Sequence, residues 1–218
     1  MYFQVIGQHL PYFLGGLVTT IEVSGLGAAG GLAIGIVSAA ARLSAVAALR
    51  AVFTAYVELF RNTPLLVQAL ILFLGPAELG YRLDGFSTLA LCLALNSGAY
   101  LSEIVRGGLQ SVPRGQLEAA ASIGLGSRRT LVEIVLPQAL RFVYPAMSNQ
   151  LISVVLASSI GTIIGAAELT NRVLEEISVT YRTTELLLFL TVAYAVLAYT
   201  IGTATRLFGA RLDRAYVR

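Results

Sequence analysis

The stretch Glu118-Ala119-Ala120, three residues, Gly124, nine residues, then Ile134-Val135-Leu136-Pro137 is a polar interlude between two long apolar runs. It belongs to a loop over about 106–136. Ser111-Val112-Pro113-Arg114-Gly115 reads as a turn, and the Ala-rich segment Gln116 to Ile123 reads as a helix. Gly124-Leu125-Gly126 breaks that helix, and Ser127 is a good N-cap for a second one over Arg128 to Val135. Pro137 suits the first turn of the apolar run that follows. Two short helices folded into one loop present a surface, either to a protein partner or to lipid headgroups.

The rest of the chain says what the loop is attached to. Of 218 residues, 56% are hydrophobic and 12% charged, with a mean hydropathy of +0.78. An ordinary soluble domain is about a quarter charged. This composition excludes a nucleic-acid binder, a disordered tail and a typical soluble enzyme, and points to a chain dissolved in lipid. A helix needs about 20 mostly apolar residues to cross roughly 30 Å of hydrocarbon. Five stretches qualify: about 11–41, 52–74, 86–105, 137–165 and 185–208. The start Met1-Tyr2-Phe3-Gln4 lacks the basic region of a cleaved leader, so the first stretch is expected to be a retained span.

All 15 basic residues are arginine. With the N-terminus outside, the inner segments hold Arg42, Arg50, Arg61, Arg106, Arg114, Arg128, Arg129, Arg141, Arg206, Arg211, Arg214 and Arg218. The outer ones hold Arg82, Arg172 and Arg182. Positive charge collects on the cytoplasmic side, so the expected topology is N-terminus out, C-terminus in, with the 106–136 loop inside. Glu78, Asp84, Glu168, Glu175, Glu176 and Glu185 then make an acidic outer face.

Chemistry is sparse. The single Cys92 and single His9 leave no disulfide framework, no histidine triad and no clustered metal site. No GxxxxGK[ST] loop is present, so ATP is not expected to bind this chain in the usual way. An intramembrane enzyme has no catalytic constellation here. A stand-alone secondary transporter would usually show paired halves, and five spans do not divide into two.

Ionisable and amide side chains at membrane depth are functional candidates by default. Glu22 falls in the first span, beside Thr19, Thr20 and Ser24. Glu58 and Arg61 are three apart and can pair on one helix face. Pro64 follows, and frees a backbone carbonyl one turn back. An unwound polar segment there could hold a zwitterion's carboxylate, or Glu58 and Arg61 could form a structural ion pair. Asn96 and Tyr100, at i and i+4, are candidates to line a pathway, with Asn149, Gln150 and Ser153 as a second cluster. The alternative for both is interhelical hydrogen bonding. Glu103 and Arg106 read as a structural pair. Gly27, Gly31 and Gly35 form a GxxxG ladder suited to close packing against a neighbouring helix.

The quoted stretch resembles the EAA loop of ABC importer permeases in residue type, spacing and place. Four further runs resemble the polar amino acid permeases of that family. They are Glu58 to Gln68, Gly98 to Gly108, Ser111 to Gln116, and Gly165-Ala166-Ala167-Glu168-Leu169-Thr170. The resemblance covers about Thr19 to Asp213. It implies an all-α type I ABC importer permease fold, one permease domain over 1–218, with five spans and a cytoplasmic coupling helix. It implies a chain without catalytic residues in a bacterial inner membrane, moving polar amino acids by alternating access. ATP-Mg would sit on a cytoplasmic ATPase dimer. The other partners would be a second permease chain, identical or homologous, and an extracytoplasmic binding protein, with no nucleic acid.

Within that resemblance Glu118, Ala119, Ala120 and Gly124 are the ATPase-coupling residues. Glu118 suits a first helical turn, the alanines a smooth face, and Gly124 a tight bend. Arg128 and Arg129 would meet acidic groups of the ATPase or phospholipid. The chain departs from the family in one place. Many relatives carry a Lys-Asp-Thr-Ser-Leu-like run late in the fourth span, where this chain reads Leu156-Ala157-Ser158-Ser159-Ile160. Whatever those two charges do in relatives does not carry over.

Overall fold

The structure, a computed structural model, describes residues 4–216, with side chains over 5–207. Met1 to Phe3, Arg218 and the side chains of Arg211 and Arg214 lie outside this description. Every regular element in the described residues is helical. Four helical stretches are long and apolar enough to cross a bilayer: Val5–Arg42, Gly85–Gln110, Ser127–Ile164 and Thr183–Leu207. A bent pair makes a fifth if counted as one broken span.

That pair corrects the expected span over 52–74. It is two helices, α2 (Ala47–Arg61) and α3 (Leu65–Glu78), meeting at 108°. The break has a local cause. Pro64 has no N–H, so the carbonyl of Phe60 four residues back loses its helical donor. Side-chain amides replace it: Gln68 Nε2 donates to Phe60 O at 2.9 Å, and Asn96 Nδ2 at 3.3 Å.

The first helix, α1 (Gln4–Arg42), begins earlier than expected and runs past Pro11. Its glycine ladder lies along α4 (Gly85–Gln110), the two helices running parallel. A Cβ at Gly27 would stand 2.6 Å from Leu93, one at Gly35 2.7 Å from Leu101, and one at Gly31 would collide with Ser97 Oγ. The seam is also bonded, since Ser97 Oγ donates to Gly27 O at 3.1 Å. Close approach by small residues replaces the hydrophobic drive that lipid cannot supply. Asp84 caps α4, its carboxylate accepting from Ser87 N–H at 2.9 Å.

The loop helix α5 spans Arg114–Ser122. The second expected loop helix is no separate element. Ser127–Arg129 (α6) passes through a π-helical stretch, Thr130–Val135, straight into α7 (Leu136–Ala157). The fourth span therefore starts about ten residues before Pro137, as one continuous rod. Ser127 does not cap it; the Thr130 hydroxyl bonds back to Gly126 O at 3.2 Å instead. The far end of α7 tightens into a 3₁₀ turn, Ser158–Ile164, closed by Gly165 at φ 71°.

A short helix, α8 (Leu169–Thr180), follows on that side before the last helix, α9 (Thr183–Tyr216). Two apolar clusters hold the bundle. One joins Val23, Leu89, Leu93, Val154 and Ile164 in the span region. The other joins Phe13, Leu169, Val173 and Leu186 under α8.

Candidate functional site

Two places concentrate the expected functional residues. The first is a polar cavity of about 290 Å³ between α4 and α7. Asn96, Ser97 and Tyr100 line it from α4, and Gln150, Ser153, Val154 and Ala157 from α7. Asn96 and Tyr100 share a wall, as their spacing predicts. Asn149 does not join them; it is exposed on the outside of the single chain.

The floor of this cavity is tied to the helix break. Asn96 Nδ2 donates to Gln68 Oε1 at 3.0 Å, and Gln68 Nε2 donates to Thr63 Oγ1 at 2.8 Å. The same two amides that satisfy the freed carbonyl of Phe60 thus line up α2, α3 and α4. Gln68 was not among the expected site residues. The signal for it was an amide four residues beyond a helix-breaking proline.

Glu58 and Arg61 do not pair. Glu58 Oε2 accepts from Asn62 Nδ2 at 2.9 Å, while Arg61 turns to α4. There Arg61 Nη1 lies 3.3 Å from Glu103 Oε1, and its guanidinium sits 5.6 Å above the Tyr100 ring centre. Glu103 also takes Arg42 at 2.8 Å and the expected partner Arg106 at 2.5 Å. Both residues lie on α2; Arg61, its last residue, reaches the carboxylate that α4 offers, while Glu58 is taken by Asn62. Glu22 is exposed on α1, 20 residues from Arg42. At 1.5 Å per residue that is about 30 Å along the helix axis.

The second place is α5. Glu118 and Ala119 are exposed, as are Gly124, Arg128 and Arg129 beyond the helix. Ile123 is 78% exposed. Ala120 points the other way and is buried, so the two alanines do not share one outward face. Glu118 lies at mid-helix rather than in the first turn, because α5 begins at Arg114. Gly124 makes the bend at φ 76°, a conformation that disfavours any side chain. Arg129 faces Glu133 one turn on, at 4.0 Å and in the open.

The acidic residues expected on the opposite face are largely used within the chain. Glu168 is wholly buried and caps α8, accepting from Thr170 and Asn171 N–H, each at 2.8 Å, and from Tyr194 at 2.9 Å. Burial outweighs those bonds and pushes its carboxyl above the usual range. Glu176 meets His9 at 2.7 Å, Glu185 meets Arg182 at 3.2 Å, and Glu175 accepts from Tyr12. Asp84, held below the usual carboxylate range by the Ser87 N–H, serves as a cap.

A polar cavity between spans, together with a bare helix at one end of the bundle, is an arrangement that suits a transport permease. The comparison with known proteins agrees. Residues 31–218 match the binding-protein-dependent transport system inner membrane component family, and the chain belongs to it. It is a permease subunit of an ABC importer, a non-catalytic membrane component.

Among its relatives, the L-cystine transport system permease protein TcyB of Bacillus subtilis is 36% identical over 94% of this chain and 88% of its own. The arginine transport system permease protein ArtQ of the same organism is 34% identical, covering 86% of each chain. The glutamine transport system permease protein GlnP of Escherichia coli is 33% identical over 94% of this chain and 93% of its own. A solved amino acid ABC transporter with histidines superposes with a TM-score of 0.91 at 33% identity, covering 97% of this chain and 99% of that one. The methionine ABC transporter MetNI, at 20% identity and a TM-score of 0.78, shares the fold, that of a type I ABC importer permease.

Proposed function

We propose that this chain carries polar amino acids or related small zwitterions across a bacterial cytoplasmic membrane, as one half of a permease pair. The relatives named for arginine, cystine and glutamine support that substrate class. All of 1–218 forms one permease domain with five spans, counting α2 and α3 as one, N-terminus out and C-terminus in. The arginine distribution supports the orientation.

The observation that carries the reading is the bare α5. Among the described residues, Glu118, Ala119, Gly124 and Arg128 face outward with no tertiary partner, and Ile123 stands in the open, beside a rod that runs unbroken to the cavity wall. This is the face on which a cytoplasmic ATPase dimer docks and holds ATP-Mg; Ala120 packs α5 against the chain, and Arg129 stands in the open beside the docking face. ATP closure pushes α5, and α7 passes the push to Gln150. Glu58, Arg61, Asn96, Tyr100, Asn149 and Gln150 are assigned to the pathway. Asn149 is exposed at membrane depth in the single chain, where lipid is a poor neighbour. It faces the second permease chain, identical or homologous. A binding protein delivers substrate on the α8 side.

The test is co-purification of the chain with an ATPase whose turnover responds to amino acids. Uptake that persists without any ATPase overturns the reading.

A further inference from the structure

The cavity between α4 and α7 is lined by amides, hydroxyls and apolar groups, with no ionised side chain. A zwitterion's carboxylate held there needs a cation from the rim. Among the described residues, one ionised side chain is recorded in contact with a lining ring: Arg61, over Tyr100.

Its anchor, Glu103, is oversubscribed. Oε1 faces Nη1 of both Arg42, at 2.8 Å, and Arg61, at 3.3 Å. Oε2 takes Nη2 and Nε of Arg106, the latter at 3.2 Å. Three guanidiniums share one carboxylate, and among the described residues none of the three has a second acidic partner. The cluster therefore holds two positive charges in excess.

The three arginines are not equivalent. Arg42 is the most enclosed, and Arg106 grips through two nitrogens and also donates to Gln110 at 2.8 Å. Arg61 has the longest contact and the most exposed side chain. If Arg61 leaves, Glu103 keeps a partner on each oxygen. Tyr100 and Glu103 are three residues apart on α4, about 5 Å along the axis, within the swing of one arginine side chain.

We propose that Glu103 is a positioning residue which parks Arg61 at the cavity rim. In transport Arg61 exchanges Glu103 for the carboxylate of the bound amino acid. The exchange swaps one carboxylate for another, so no lone charge is left in a low-dielectric site. It rests on the amino acid reading above. Glu103 competes with substrate for Arg61, so it both weakens binding and drives release.

The test is ATP-driven uptake by the assembled complex in proteoliposomes. The probes are L-arginine, L-glutamine and L-cystine, each against its decarboxylated counterpart: agmatine, 4-aminobutanamide and cystamine. The wild type takes up at least one amino acid and discriminates against its amine. Arg61→Gln raises KM about ten- to hundredfold, the weight of a charge-assisted bond, and erases the preference for the amino acid over the amine. Arg61→Lys, a point charge without the planar fork, falls between. Glu103→Gln lowers KM and kcat together, the mark of a removed competitor, which a merely structural role does not produce.

Wild-type failure with all three amino acids counts against the functional reading. Wild-type uptake with the preference intact in Arg61→Gln overturns the inference alone. So does a Glu103→Gln variant with raised KM, or an Arg61 effect that appears only when the vesicles contain anionic lipid. If Glu103→Gln fails to assemble, the two Arg61 variants decide.

Discussion

The helices α5 and α8 are both short, both hung between two spans, and lie at opposite ends of the bundle. They are finished in opposite ways. α5 buries one side chain, Ala120, and its tertiary side-chain bond runs from Gln138 to Gln116 at 2.6 Å. α8 buries Leu169, Val173 and Glu176. It is bonded at its cap by Glu168, through its first N–H by Thr20, and along its side by Arg172 to the Tyr12 carbonyl at 2.8 Å. A helix bonded at its cap and along its side to the rest of the chain is a strut. A helix left bare, joined to the next span through the Gly124-Leu125-Gly126 bend, has a face open to a partner.

The sharpest way to break this contrast is at Gly124. Gly124→Val puts a β-branched residue at positive φ in open space. The strain is local, about 1–2 kcal/mol, so the variant should insert and keep its thermal unfolding close to wild type. ATP-driven uptake should drop more than about tenfold, since about 1.4 kcal/mol of lost coupling is already a factor of ten. Normal uptake would remove α5 from the docking role.

On the α8 side the effect should appear in stability instead. Glu168→Ala removes a buried cap and strands two N–H groups, which should lower unfolding stability by about 3 kcal/mol. An unchanged melting profile in detergent would mean that α8 is no strut. Thr20→Val tests the same strut more gently. Its hydroxyl accepts from the buried Leu169 N–H at 3.1 Å, and its loss should cost about 1–2 kcal/mol.

The smallest effect is in pH. Burial holds the Glu168 carboxyl above its ordinary value, so the unfolded chain gives up this proton first. The unfolded state then binds fewer protons in the window above the ordinary carboxylate pKa, and stability falls as pH rises through it. Amide exchange along α8, corrected for its intrinsic pH dependence, should speed up across that window. Glu168→Gln should flatten the trend.

Much of this was legible in residues. The glycine ladder announced a close helix partner, and Ser97 opposite Gly31 is that partner. The alternation of Asn96 and Tyr100 put both on one wall of the cavity. Hydropathy failed at Pro64, because an apolar average does not see a broken ladder. The break is bridged by Gln68 and Asn96, 28 residues apart in sequence. The Glu58–Arg61 pairing failed for a different reason: helix-face arithmetic takes no account of the α4 carboxylate that α2 reaches at its end. The outer acids misled because counting charges cannot tell a surface glutamate from a cap such as Glu168.

The π-helical stretch Thr130–Val135 bears on how α5 and the cavity wall are keyed to each other. A wider turn accommodates a residue that a regular helix would not, and each residue of an α-helix turns the chain by about 100°. Taking one residue out of this stretch lets the ladder regularise with the segments on either side held close to their present faces. Taking one out of the regular ladder of α7 ahead of Gln150 would instead turn Gln150 by about 100° from where it now stands. The register between α5 and the cavity is thus one of phase, and the π-helical stretch is the place where a residue can be lost without resetting it.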